Sequence, residues 1–451
     1  MQQIPRSVLQ TGPRVSEKGT TVKRLAQKKR FPLFLTIFII LVVIASSGQS
    51  DSAANAVPAP SGAAASSRAV SFGHDGLLFT DEAKSTQLRV HGYIQGDGRF
   101  FSSDLKDQSS DKLLFRRIRP VFEGTLFKVL DFRFMPDFGQ NNPQIQDMHV
   151  EWKLASYAKP RIGKFKTPLG LEALRSDSES TFAERSLASD LVPLREVGAQ
   201  VGGILLGESI NYAVGYFNGT PDGSNGNFEW RTSNEGVARI FLRPFLRGRV
   251  KPLRGFGVGL AGSSAHEHGA LPKFKTVGQN TFFKYSSRVL ADGQHNRLTP
   301  QAYYYWGPFG MLGEYTVSSQ EVRNQSFARR LSNQGWQATA SLMLTGERNS
   351  YLGVRPQRAF EPYKGIRHLG GWELAGRYSR LRVDGAAFPL FADPKSSAAG
   401  AAEWAIGINW YLNRFTRIMN AYGHTNFRMA EPSLTPLHSE NVVMSRLQFS
   451  F

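Results

Sequence analysis

Apolar and polar side chains alternate along much of the chain from Thr86 onward. The clearest run places large apolar residues at every second position, namely Trp404, Ile406, Ile408, Trp410 and Leu412. The intervening positions hold small or amide side chains, among them Ala405, Gly407, Asn409 and Asn413. Similar runs begin at Leu88, Ala238, Trp336 and Trp372. Because successive side chains of a strand point to opposite faces, the pattern predicts β-strands with one apolar and one polar face.

The length of these runs favours a membrane barrel over a soluble sandwich. A tilted strand crosses a bilayer in about ten residues, whereas sandwich strands have about five or six. Trp and Tyr recur near the ends of the runs, where an interfacial girdle would lie, and Arg, Glu, Asn and Gln fill the other face, as in a water-filled lumen. At about 23 residues for each strand and its connection, residues 84–451 predict an all-β, transmembrane antiparallel β-barrel of about 16 strands.

The C-terminal segment predicts how such a barrel closes. Its apolar face carries Val443, Leu447, Phe449 and the terminal Phe451, and its other face carries Met444, Arg446, Gln448 and Ser450. An amphipathic strand that ends on an aromatic residue resembles the last strand of bacterial outer-membrane barrels, which pairs with the first strand. An ordinary edge strand that happens to end in Phe is the alternative.

The first 56 residues predict a signal peptide. Five basic residues between 23 and 30 precede an apolar run from Phe31 to Ala45, and Ala54-Asn-Ala56 is a candidate cleavage site. The run has about 15 residues, fewer than the roughly 20 of a spanning helix, although a retained anchor is the alternative. Residues 57–83 predict a linker or periplasmic segment. No later stretch could span as a helix, so a membrane-embedded mature protein would have to be a closed barrel.

Composition narrows the chemistry. Cysteine is absent, which excludes disulfides, thiolate metal sites and a cysteine nucleophile. The net charge is +19, and +13 without residues 1–56. A basic mature protein would attract anions, anionic lipid or nucleic acid, and secretion argues against nucleic acid. Gly257 to Gly262 matches a dinucleotide fingerprint but lies in a strand pattern without a following helix, and His266 and His268 lack a third metal ligand. The sequence predicts no cofactor, no metal and no catalytic residue.

One connection is unusually long for a compact fold. It runs from Gly170 to Asp190, between a strand that ends near Lys166 and another near Gly198. Loops of this length are usually functional or disordered. Four apolar side chains could dock it against the wall, namely Leu174, Phe182, Leu187 and Leu191. We therefore expect an ordered constriction loop folded into the barrel.

From Phe72 to the C-terminus the chain resembles the phosphate-selective porin O and P family. Four blocks in the expected order carry the resemblance: Phe115-Arg-Arg117 followed by Glu123-Gly-Thr125, then Gln146-Asp147, then the run from Arg161 to Glu172, and finally Glu184-Arg185 leading to Leu194-Arg195 and Gly198. The resemblance implies an outer-membrane porin that contacts lipid, forms a homotrimer and passes small anions, with phosphate as a candidate.

The resemblance also implies an anion-binding constriction. Its residues would be Arg116, Arg117, Arg185, Asp147 and Ser176. Guanidinium groups bind anionic oxygens bidentately, and a nearby aspartate would weaken the site enough for release. Because Arg116 and Arg117 are adjacent, both can face the lumen only if the strand contains a bulge or enters the loop at this point.

Several positions depart from the pattern of phosphate-specific members. Tyr93 occupies a place where such members carry an arginine, and non-basic residues replace vestibule lysines at Asp131, Ala173 and Ser178. These departures weigh against strict phosphate specificity. Two other classes stay open, namely a non-selective or structural barrel sealed by its loops and an outer-membrane barrel hydrolase. Channel conductance would separate a porin from both.

Overall fold

The computed structural model describes residues 69–451 except 74–75, 82, 103–109, 227–232, 366–367 and 432–438. The predicted signal peptide at 1–56 lies outside the described residues. Strands make up nearly all of the regular structure, and the only α-helix among the described residues is one turn, Leu171–Leu174. No helix in this part of the chain is long and apolar enough to span a membrane.

Sixteen antiparallel strands form a closed barrel, which confirms the predicted fold class and strand number. They are β3 (Gln87–Phe101), β4 (Lys112–Leu126), β5 (Leu130–Asp137), β6 (Gln144–Trp152), β7 (Lys159–Phe165), β8 (Glu196–Leu205), β9 (Ile210–Phe217), β10 (Asn234–Leu242), β11 (Phe256–Gly269), β14 (Val289–Trp306), β15 (Phe309–Asn324), β16 (Phe327–Met343), β17 (Gly371–Arg382), β18 (Ala398–Tyr411), β19 (Thr416–Met429) and β20 (Ser439–Ser450). Two hairpins complete the strands: β1 (Ala69–Gly73) with β2 (Gly76–Thr80), and β12 (Lys273–Lys275) with β13 (Thr281–Lys284).

The barrel closes between its last strand and its first, as the C-terminal pattern predicted. Strand β20 pairs with β3 from Val442 opposite Phe101 to Ser450 opposite Tyr93. The backbone of Phe451 extends the seam, because its N–H donates to the Gly92 carbonyl at 3.0 Å and its carbonyl accepts from the Gly92 N–H at 2.9 Å.

The alternation of side chains follows the two faces of the wall. Trp404, Ile406 and Ile408 on β18 point outward with 38 to 52 % exposure, whereas Asn409 points inward and is 2 % exposed. Leu412 breaks the predicted parity and is buried, because β18 ends at Tyr411 and the chain turns there. The glycine-rich run at 257–262 lies within β11, as expected, and this strand continues through His266 and His268.

The wall is not of uniform height. Strands β5 to β10 contain 7 to 10 residues, whereas the other barrel strands contain 12 to 18. We call the end of the barrel where β3 begins and β20 finishes the terminal end, and the opposite end the loop end. At the terminal end, β2 pairs with residues 87–90 of β3, beyond the point where β20 stops. The sequence predicted only a linker or periplasmic segment at residues 57–83, so this hairpin extension was not expected.

Two connections enter the barrel from opposite ends. Residues 166–195, here called the inner loop, come from the loop end, and residues 344–370, the second segment, come from the terminal end. The inner loop contacts inward-facing side chains around the wall: Asn409 donates to the Thr181 carbonyl at 2.9 Å and Arg377 donates to the Glu184 carbonyl at 2.8 Å. The two segments meet where the Tyr351 hydroxyl donates to the Leu171 carbonyl at 2.7 Å.

An apolar core fixes part of the inner loop at the loop end. Leu187 and Leu191 pack there with Phe274, Phe283 and Leu381, and all five are buried. Phe182 is buried in a smaller cluster with wall alanines, while Leu174 is half-buried beside a cavity. Three of the four side chains proposed for docking are thus buried. The expectation that the loop narrows a conducting path stays a prediction.

Candidate functional site

The inner loop separates two water-accessible cavities. The larger, about 760 Å³, lies at the terminal end, and residues on its wall include Arg133, Asp147, Ser176 and Asp177. The other, about 580 Å³, lies at the loop end, and Arg116, Arg117 and Arg185 are on its wall. A solute crossing the barrel in this half would pass between the cavities at the charged part of the inner loop.

A β-bulge turns both predicted arginines of β4 toward the lumen. Gln95 of β3 pairs with Arg117 and Gly96 pairs with Phe115, which leaves Arg116 as the extra residue. An extra residue shifts the alternation of side chains by one. Both guanidinium groups therefore reach the inner loop, as the sequence required for both to act.

Glu184 of the inner loop binds the first of these arginines. Arg116 donates from Nε and Nη2 to the two oxygens of Glu184 at 2.6 and 3.0 Å. Arg99 of β3 and Arg446 of β20 donate to the same carboxylate at 3.0 and 3.1 Å. Burial alone would raise the pKa of Glu184, but these guanidinium groups outweigh it and hold that pKa well below its usual range.

Asp177 of the inner loop forms a second centre. Arg185 and Arg119 each donate to it at 2.5 Å, while the guanidinium nitrogens of Arg117 and Arg195 lie 3.6 and 3.9 Å from its oxygens. Burial would raise the pKa of Asp177, yet the surrounding cations, with Arg185 the strongest, hold it well below its usual range. Both loop carboxylates are therefore ionised at neutral pH.

The remaining predicted residues lie on the terminal-end side. Asp147 accepts from Nε of Arg195 at 2.8 Å and lies 3.3 Å from Nε of Arg133. Ser176 is exposed to the cavity, where its hydroxyl lies 2.9 Å from that of Ser178. Arg116, Arg117 and Arg185 are thus brought together around loop carboxylates, Asp147 joins them through Arg195, and Ser176 makes no described contact with any arginine.

Several residues of this network were not proposed from the sequence as site residues. They are Arg99, Arg119, Arg133, Arg195, Arg446, Asp97, Asp137, Asp177 and Glu184. Some lie at inward positions of strands whose alternation was visible, such as Asp97 and Arg99 on β3. Tyr93, noted as a departure, accepts a hydrogen bond from Arg119 at 2.8 Å, so an arginine–tyrosine pair occupies that place.

A serine–histidine–glutamate arrangement also lies inside the barrel, although the sequence showed none. The Ser318 hydroxyl lies 2.8 Å from Nε2 of His295, whose Nδ1 lies 3.0 Å from Glu267. Ser318 is 1 % exposed and donates to Asp222 at 2.5 Å. Substrate cannot reach this buried hydroxyl, and the network fastens the 218–226 connection to the wall. No group of metal-ligating residues occurs within the described ranges.

Comparison with known proteins shows the family of this chain. The model of the phosphate-selective porin O and P family matches residues 88–238 and 277–451. The chain belongs to this family. Its sequence is 22 % identical to Porin O of Pseudomonas aeruginosa over 389 residues, which are 77 % of this chain and 84 % of that protein.

Solved structures support the fold. An outer membrane protein of Vibrio cholerae, OmpT, has a TM-score of 0.53 at 13 % identity, covering 81 % of this chain and 98 % of its own. The outer membrane channel DcaP of Acinetobacter baumannii has a TM-score of 0.51 at 10 % identity, covering 83 % and 99 %. The family and the barrel together assign the chain to the porins of the bacterial outer membrane.

Proposed function

We propose that this porin lets small anions diffuse across the outer membrane, with phosphate among them, and that it has no enzymatic activity. The observation that carries the proposal is the composition of the charged network at the inner loop. It contains eight arginines and five carboxylates: Arg99, Arg116, Arg117, Arg119, Arg133, Arg185, Arg195 and Arg446 with Asp97, Asp137, Asp147, Asp177 and Glu184. The excess of positive charge would raise the local concentration of anions.

The same network argues for passage rather than retention. Each of these arginines has a carboxylate within 4 Å, so a passing anion would meet guanidinium groups whose charge is already partly balanced. Conduction needs a site that is favourable to enter and weak enough to leave. Balanced arginines meet that requirement better than an isolated cluster would.

Single-channel recording tests the proposal. We expect the purified protein, in a planar bilayer under a gradient of potassium chloride, to give a reversal potential whose sign shows that chloride is more permeant than potassium. Replacing chloride by phosphate should reduce the current without abolishing it. A reversal potential of the opposite sign, which shows that potassium is more permeant, would reject the proposed anion preference. The family assignment would still stand.

A sealed barrel is the second candidate, because two segments enter from opposite ends and meet at Tyr351 and Leu171. Absence of ion current from correctly folded protein would favour it. In the proposed pore, solutes avoid this meeting point and follow the half of the barrel that contains the two cavities.

We also propose a homotrimer in the outer membrane. The wall is lowest in the sector from β5 to β10, where β7 has 7 residues and the other strands have 8 to 10. A tilted strand needs about 9 to 11 residues to cross the hydrocarbon, so partner copies would cover this sector better than lipid. Exposed Ile162, Val214 and Tyr216 supply apolar contact area there. Light scattering in detergent should give three times the chain mass, and a monomer would reject the proposal.

A further inference from the structure

The carboxylate of Asp177 occupies an unusual position for a loop side chain. It lies at the boundary between the two cavities, because Asp177 borders the terminal-end cavity while Arg117 and Arg185 border the loop-end cavity. Its side chain is 4 % exposed, and four guanidinium groups approach its two oxygens within 4 Å. A carboxylate thus lies where a solute would leave one cavity for the other.

The geometry around Asp177 is that of a bound oxyanion. Oδ1 faces Arg185 at 2.5 Å and Arg117 at 3.6 Å, while Oδ2 faces Arg119 at 2.5 Å and Arg195 at 3.9 Å. Guanidinium groups bind free carboxylates and phosphates through the same charge-assisted contacts. The cluster therefore has the donors of an oxyanion site, and a side chain of the protein already fills it.

From this we infer that Asp177 is a tethered anion whose carboxylate occupies an oxyanion-binding site between the cavities. Its presence determines which passing anions can bind at that site. The inference rests on the proposed anion pore and deepens it. A monovalent ion such as chloride passes the filled site with little competition. A multivalent oxyanion such as phosphate would bind the same arginines, and the tethered carboxylate prevents that binding. Asp177 thereby keeps the pore from being blocked by the solutes its arginines attract.

The position of Asp177 on the chain fits this role. It belongs to the short run Ser176 to Ser180 of the inner loop, where the neighbouring backbone closes a turn by a hydrogen bond from Glu179 N–H to the Ser176 carbonyl at 3.0 Å. Its arginine partners come from β4 and from later parts of the loop. Arg117, Arg119 and Arg195 also bind Gln95, Asp137 and Asp147 at 2.8, 2.7 and 2.8 Å, so removing the carboxylate charge of Asp177 need not move these donors.

The test compares phosphate block of the chloride current in wild-type protein and in Asp177→Asn. We expect phosphate to block the variant at a concentration about ten- to a hundredfold lower than wild type, because charge-assisted hydrogen bonds become available to it. Glu208→Gln is the matched control. It removes a carboxylate that accepts from Arg243 at 2.9 Å at an exposed turn of the terminal end, outside the cluster. The control should show wild-type block.

Each outcome decides the inference. Equal block of Asp177→Asn, wild type and control overturns it, and if the wild-type reversal potential stays on the anion side, the proposed function survives. A wild-type channel that prefers cations rejects the proposed function, whereas phosphate block specific to Asp177→Asn would still support the oxyanion site. If Asp177→Asn does not fold in chloride, phosphate in the refolding buffer should restore the heat-modifiable barrel. Failure of phosphate to restore folding also overturns the inference.

Discussion

Replacing Arg116 with Ala should lower the anion preference of the pore. Arg116 borders the loop-end cavity with 16 % of its side chain exposed, and it binds Glu184 through two hydrogen bonds. The substitution removes one positive charge, while Glu184 keeps Arg99 and Arg446 as partners. The inner loop should therefore remain in place, so that the variant reports on charge rather than on folding.

The expected size follows from Coulomb's law. A unit charge about 4 Å from a passing ion is worth about 1 kcal/mol in bulk water and about 4 kcal/mol at an effective dielectric constant of 20. Because the Arg116 side chain is partly exposed and partly balanced by Glu184, the lower figure applies. Loss of the charge makes entry less favourable for an anion and more favourable for a cation by up to this amount, so the ratio of anion to cation permeability should fall by about five- to thirtyfold. Glu184→Gln should raise the ratio by a similar factor, and the double variant should lie close to wild type.

The assay is the reversal potential in a potassium chloride gradient at about 0.1 M ionic strength, where the Debye length is about 10 Å. Arg330→Ala is the control, since Arg330 pairs with Glu321 at 2.8 Å in an exposed position near the β15–β16 turn. It changes the net charge equally without touching the cavities. If Arg116→Ala and Arg330→Ala shift the potential by the same amount, or if the double variant fails to compensate, Arg116 does not act on passing ions.

Three further predictions concern the wall, the seam and pH. Ile408→Arg, if this outward residue lies near the midplane, should destabilise the barrel by about 2–4 kcal/mol in a lipid refolding titration, and Ile408→Leu should not; equal stability of the two would argue against lipid at this face. Deleting Phe451 removes both hydrogen bonds to Gly92, so less heat-modifiable barrel should reach the outer membrane than after a deletion within residues 57–66. Burial raises the pKa of Asp190, beside the loop-end cavity, to about 7. Its carboxyl gains negative charge as pH rises through that value, so the anion preference of the pore should fall. Asp190→Asn should remove this pH dependence, and a pH dependence that persists in the variant would assign the titration to another group.

The alternation of apolar and polar residues along single strands was enough to predict the two faces of the barrel wall. The alternation of side chains has the same period wherever a strand faces lipid on one side, so the faces of Ile406, Ile408 and Asn409 were correct. The ends of strands were harder to predict. Leu412 continues the apolar pattern of its run, but it lies beyond the end of β18 at Tyr411. The polar face also proved less open than expected. Asn409 contacts the inner loop and Glu373 instead of open water.

The candidate site depended on contacts between distant parts of the chain. The bulge at Arg116 was one of two ways in which both arginines could face the lumen, and the sequence could not locate it because it is defined only by pairing with Gln95 and Gly96. Glu184 lies 68 residues from Arg116 along the chain, and Asp177 lies 58 from Arg119. No local pattern reports such a pairing. The second segment was missed for the same reason, since its entry is visible only in contacts such as Tyr351 with Leu171.

The seam of the barrel has a consequence for the order of assembly. Arg446 of β20 lies opposite Asp97 of β3 and binds it at 2.6 and 2.8 Å, and the same guanidinium group donates to Glu184 and to the Ala183 carbonyl of the inner loop. Three parts of the chain therefore meet at one side chain, and one of them is the last to be synthesised. Until the C-terminal strand arrives, the inner loop lacks this anchor. The anchoring of the inner loop and the closure of the wall are thus coupled, and a barrel that opens at this seam would lose this anchor of its inner loop at the same moment.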